Sequence, residues 1–159
     1  METRENEIQN SNVRFTGDDI ELAAKMLEKL ASTIDIVYYL LNRGEERSFV
    51  VMLLSANNVD MDTILKEEKR NTDILFEIDP EASIYAIVCQ DTKIDGGYHF
   101  AERVLQSLIK NKADDIYCTQ LEVKTTTYDI KYIIFKLIEN YIRIKEEKRE
   151  SEIVFKILH

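Results

Sequence analysis

Two short apolar runs, Ile74–Ile78 and Ile84–Cys89, are separated only by Asp79-Pro80-Glu81-Ala82-Ser83. Runs of this length, rich in branched side chains, are too short for helices and the right length for strands. Pro80 is the only proline in the chain. It has no N–H to give to a central strand, so its segment predicts a turn and the two runs predict a β-hairpin. A hairpin cannot bury enough surface to stand alone, so its neighbours decide what the chain becomes.

Upstream, Phe49 to Leu54 reads as a buried strand bounded by charges and by Ser55-Ala56-Asn57-Asn58, and a short helix is predicted over Met61 to Lys69. Downstream, Gly96-Gly97 precede a helix over Tyr98 to Asn111, with Phe100, Val104, Leu108 and Ile109 on one face. Ile116 to Val123 predicts a strand. Thr127 to Lys148 predicts a helix whose stripe is Ile130, Ile133, Ile134, Leu137, Ile138, Tyr141 and Ile142, and Ile153, Phe155 and Ile157 alternate in a last strand. The order β-α-β-β-α-β-α-β predicts an α+β, ferredoxin-like fold: a central, mostly antiparallel sheet flanked by helices.

A long helix comes first. Thr16 and Asp19 form the two ends of a capping box; Leu22, Met26, Leu30, Ile34, Val37 and Leu41 recur at helical spacing to about Asn42; Gly44 is a natural stop. Its apolar face, including Ile36, Val37, Tyr39, Leu40 and Leu41, is wider than one core requires, which predicts packing against another copy or a partner domain. Residues 1–15 are polar and unpatterned and read as a disordered lead-in or linker, leaving 16–159 as one domain.

The net charge of −9 argues against a general DNA, RNA or anionic-membrane surface. A small anionic ligand remains compatible, because a local arginine pair acts within a Debye length of roughly 8 Å. No apolar stretch reaches the ~18 residues of a membrane span. Cys89 and Cys118 lie inside apolar runs and read as two buried thiols in a reducing cytoplasm. His99 and His159 show no metal-ligand spacing, and the tyrosines at 38, 39, 128, 132 and 141 read as core or interface.

The chemistry concentrates in three charges: Arg70 and Asp73 in Lys-Arg-Asn-Thr-Asp, and Arg103 in Phe-Ala-Glu-Arg-Val. An arginine fork can donate to guanine O6 and N7, and a carboxylate can accept from guanine N1–H and N2–H₂. An Arg-x-x-Asp pair alone is a common surface ion pair worth about 0–1 kcal/mol. Here, however, it stands just before the hairpin, and Ala101-Glu102-Arg103 follows on the next helix. Together these resemble the product-binding, inhibitory site of GGDEF domains, which binds cyclic di-GMP. From about residue 17 the chain resembles the palm-like GGDEF fold, with Tyr85-Ala86-Ile87-Val88-Cys89-Gln90-Asp91-Thr92 where family members carry a run like Phe-Val-Val-Ile-Met-Pro-Asp-Thr. Arg143-Ile144-Lys145-Glu146-Glu147 is similar to the family's Tyr-Arg-Ala-Lys-Glu stretch, with Ile142 at the tyrosine.

The signature itself is missing. Active cyclases hold two Mg²⁺ on carboxylates of the first strand and the hairpin. Here the first strand ends in Ser55, Ala56, Asn57 and Asn58, and the hairpin has lost its paired glycines. Asp79 and Glu81 read as a solvated turn rather than metal ligands, and the segment before Arg70 is short for the family's two helices. The resemblance therefore implies a degenerate GGDEF domain, not an enzyme and without cofactor or metal. It would be a receptor that binds cyclic di-GMP, as two intercalated molecules by the family pattern, through Arg70, Asp73 and Arg103. It is similar to the degenerate domain of Pel exopolysaccharide receptors, which implies a protein partner in an exopolysaccharide or other cyclic di-GMP-controlled system and a cytoplasmic place, with an inner-membrane complex as one setting. Two alternatives stay open: a ligand-free GGDEF-fold scaffold for dimerisation or protein interaction, and a residual cyclase or GTP-binding regulator.

Overall fold

The computed structural model describes residues 14–44 and 47–159. In chain order the elements are α1 (Gly17–Asn42), β1 (Phe49–Asn57), α2 (Met61–Glu68), β2 (Asp73–Asp79), β3 (Ile84–Cys89), α3 (Ile94–Lys110), β4 (Asp114–Val123), α4 (Ile130–Glu146) and β5 (Ile153–Leu158). The sheet runs β2-β3-β1-β4-β5, antiparallel except for the parallel β4–β5 edge. The first four strands and α2 and α3 form the ferredoxin-like unit, and α4 and β5 extend it.

The sheet is covered on both faces, which explains the unbroken apolar runs of its central strands. On one side Phe49, Val51 and Leu53 of β1 pack with Met26, Leu30 and Ile34 of α1 and with Ile134, Leu137 and Ile138 of α4. On the other, Val50, Met52 and Leu54 pack with Leu65 of α2 and with Phe100, Val104 and Leu108 of α3. The capping box at Thr16 and Asp19 is present, and α1 ends at Asn42 as expected.

Several boundaries differ from the sequence reading. Strand β1 continues through Ser55, Ala56 and Asn57, because Ala56 is buried and the Ser55 hydroxyl shares a 2.5 Å hydrogen bond with the Tyr141 hydroxyl. Strands β2 and β4 start earlier, at Asp73 and Asp114, and α4 is shorter than 127–148, capped by Asp129 through the Lys131 N–H. Tyr128 therefore lies outside the helix. Helix α3 begins at Ile94, so Gly96 and Gly97 lie in its first turn rather than ahead of it. Glu122 of β4 explains the early start: its Oε1 accepts the Ile94 N–H at 2.9 Å, doing for the helix what the Lys93 side chain does not. Gly97 is there because α3 touches the sheet: a Cβ would stand 3.1 Å from Val50 Cγ1. The Phe15 ring lies 5.4 Å from that of Phe135, and residues 1–13 of the expected lead-in lie outside the described residues.

Candidate functional site

Helix α2 ends at Glu68, and β2 begins five residues later at Asp73, the partner of Cys89 in the neighbouring strand. The tight connection puts Arg70 over Asp73. The Asp73 side chain is fully buried, whereas 48% of the Arg70 side chain remains exposed. Arg70 Nη2 donates to Asp73 Oδ1 at 2.7 Å, Nε lies 3.1 and 3.2 Å from the two carboxylate oxygens, and the Arg70 backbone N–H donates to Oδ2 at 2.8 Å. The carboxylate raises the already high pKa of the guanidinium. Cys89, which pairs with Asp73 across the strands, is buried in the core, and burial and the Asp73 charge push its thiol up.

Asp73 thus faces Arg70 rather than solvent. Its oxygens are occupied, and its observed role is to hold the arginine. Two further partners were missed by sequence reasoning. Thr92 Oγ1 accepts from Arg70 Nη2 at 2.7 Å, and the Gln90 carbonyl lies 3.4 Å from the same nitrogen. Both belong to the Gln90-Asp91-Thr92 stretch that carried the family resemblance, yet nothing in residue type announced contacts 20 and 22 positions away.

Arg103 comes from α3. Its Nε stands 3.8 Å from Glu68 Oε1 at the end of α2, and its guanidinium lies 5.4 Å from the Phe100 ring centroid. The packing of α2 on α3 therefore brings Arg103 beside the residue two positions before Arg70. Its side chain is 51% exposed, and among the described residues no hydrogen bond holds it. His99, one turn before it, is exposed and pairs with Glu102.

The hairpin turn lies elsewhere, beside the end of β1, where Ser55 pairs with Ile84. Asp79 accepts the Glu81 and Ala82 N–H groups at 3.2 and 3.3 Å and stands 3.9 Å from Lys25 Nζ. An open cleft of about 970 Å³ separates this turn from α1 and α4; its walls include Asp18, Glu21, Asp79, Glu81 and Glu146 against Lys25 and Lys145. Among the described residues no group of three or more His, Cys, Asp or Glu is placed to hold a metal ion.

No family model matches the chain, and no curated protein matches it by sequence. Solved structures do. The active GGEEF domain of a diguanylate cyclase from Vibrio cholerae superposes with a TM-score of 0.60 at 11% identity, over 76% of this chain and 89% of that one. The GGDEF domain of DgcB from Caulobacter crescentus, in complex with c-di-GMP, gives 0.55 at 6% identity, over 93% and 98%. The diguanylate cyclase SiaD from Pseudomonas aeruginosa, in complex with its activator SiaC, gives 0.56 at 11% identity, over 87% and 66%. The fold is GGDEF-like: a five-stranded mixed sheet between four helices, led by the long α1.

Proposed function

We propose that this domain is a non-catalytic receptor for cyclic di-GMP, binding it at Arg70 and Arg103 to regulate a partner protein. The observation that supports the reading is the pair of half-exposed guanidiniums on a GGDEF-like fold, one pinned over a buried carboxylate and the other held 3.8 Å from Glu68, two positions before Arg70, by the packing of α2 on α3. Guanine offers two acceptors on its Hoogsteen edge and a face for stacking, and phosphate offers charge; arginine answers all of these where lysine answers only the last. Asp73 contributes first by orienting Arg70, and it reaches guanine only if the ligand opens that pair. A relative on this fold, DgcB, has been seen in complex with c-di-GMP.

The non-catalytic half of the proposal is supported at the other end of the sheet. The last residues of β1 are Ser55, Ala56 and Asn57, the first bonded to Tyr141, so that strand end presents no carboxylate for Mg²⁺. Asp79 is spent on its own turn. The acid-rich cleft beside it repels a triphosphate unless metal ions intervene.

Two assays test the proposal together. Thermal melting should shift upward with cyclic di-GMP and not with cyclic di-AMP, whose adenine presents a donor where guanine has O6. Incubation with GTP and Mg²⁺ or Mn²⁺ should yield no cyclic di-GMP. Product formation would return the chain to the enzymes, and equal shifts with both dinucleotides would reduce the site to electrostatics.

A further inference from the structure

Building on that receptor reading, we propose that Thr92 is the positioning residue of the site: its hydroxyl fixes the guanidinium of Arg70, so that ligand meets a preset plane and the Nη1 group rather than an open fork.

A guanidinium carries five N–H protons. The single Nε proton faces both Asp73 oxygens, at 3.1 and 3.2 Å, and one Nη2 proton goes to Asp73 Oδ1 at 2.7 Å. The second Nη2 proton goes to Thr92 Oγ1, also at 2.7 Å, with the Gln90 carbonyl a longer contact of the same nitrogen at 3.4 Å. Thr92 is set up to accept it, because its own proton is given to the Gln90 carbonyl at 2.7 Å and its lone pairs therefore face the arginine. Three of five protons are committed, and the two on Nη1 remain.

The hydroxyl is itself anchored. The Thr92 N–H donates to the Ser48 carbonyl at 3.0 Å, and the Ser48 hydroxyl donates back to the Thr92 carbonyl at 2.8 Å. Ser48 and Thr92 are 2% and 6% exposed, so this reciprocal pair is buried at the entrance to β1. The guanidinium is thus held from two sides, by a buried carboxylate and by a loop tied to the central strand. Such a group loses little freedom when it binds, whereas a free arginine must be ordered by its ligand.

The opposite role is equally definite: Thr92 could occupy a proton that ligand needs, and removing it would then tighten binding. The full chain, with Thr92→Val and Thr92→Ser, separates the two. Valine keeps the shape and loses the acceptor; serine keeps the acceptor. In cyclic di-GMP titrations we expect Thr92→Val to weaken binding about three- to tenfold and Thr92→Ser to stay within about twofold of wild type. Unchanged or tighter binding by the valine variant would overturn the proposal. A ligand-free readout stands beside it: in nitrogen-15 NMR the Arg70 Nη2 proton that meets Thr92 should exchange slowly in wild type and Thr92→Ser and measurably faster in Thr92→Val. Identical exchange in all three would overturn it too. A wild type that binds no cyclic di-GMP would sink the receptor reading, while the exchange rates would still decide whether Thr92 holds Arg70.

Discussion

At the scale of single residues, the two arginines are not equivalent. Arg103→Ala removes a half-exposed side chain whose ion partner among the described residues is Glu68 at 3.8 Å, so it should leave the fold intact and weaken cyclic di-GMP binding about tenfold or more. Arg70→Ala does two things, because it also strands the Asp73 carboxylate, which is fully buried. Discounting for the half-exposed arginine, we expect about 1–3 kcal/mol of lost stability beside the lost affinity. Denaturant unfolding of both variants checks this; equal stability of the two would contradict the buried-pair account. Arg70→Lys keeps charge over Asp73 yet loses the plane, so it should recover stability more than affinity. The sequence named Arg70, Asp73 and Arg103 because their residue types and spacing are visible in one dimension. It did not show that Asp73 turns inward, since burial of a carboxylate depends on the α2–β2 connection and on what lies across the sheet. Nor could it show Thr92, whose hydroxyl matters only after β3 and α3 have brought it to Arg70.

At the scale of elements, periodicity carried the strands and helices, and boundaries failed where a contact outside the segment decides them. Glycine is read locally as a helix breaker, but at Gly97 it marks the place where α3 meets β1. Gly97→Ala gains helix propensity of up to about 1 kcal/mol, yet its Cβ must enter a space 3.1 and 3.2 Å from the two Val50 methyls and 3.3 Å from Gln120 Nε2. Buried on both sides, these neighbours yield little, so we expect net destabilisation of about 1–2 kcal/mol. A melting temperature equal to or above wild type would show that α3 can lift from the sheet. The same reasoning explains β1: Ser55, Ala56 and Asn57 look like a strand's end, but Tyr141 supplies the Ser55 hydroxyl with a partner, Ala56 is buried, and pairing with β4 continues to Asn57.

At the scale of the whole molecule, α1 contributes Met26, Leu30, Ile34 and Val37 to the core and leaves Ile36 and Tyr39 at 62% and 60% exposure on its outer side. Val37, which the sequence reading placed both in the helical stripe and in the wider apolar face, belongs to the core. Sedimentation at high micromolar concentration should detect self-association or a bound partner through this face, weakened by Ile36→Glu; a strict monomer that captures nothing would contradict it. No described helix is long and apolar enough to cross a membrane. The fold is GGDEF-like, and the proposal for it is that this chain binds cyclic di-GMP without making it. Calorimetric titration with cyclic di-GMP, run on wild type, Arg103→Ala and Arg149→Ala, decides whether the domain binds the dinucleotide and where. Arg149 pairs with Glu152 at 3.1 Å, away from the site, and serves as the control. Wild type and Arg149→Ala should bind saturably, one or two molecules per site, and Arg103→Ala should lose about ten- to a hundredfold. Wild-type affinity weaker than about a millimolar, or an equal loss in both variants, would contradict the proposal.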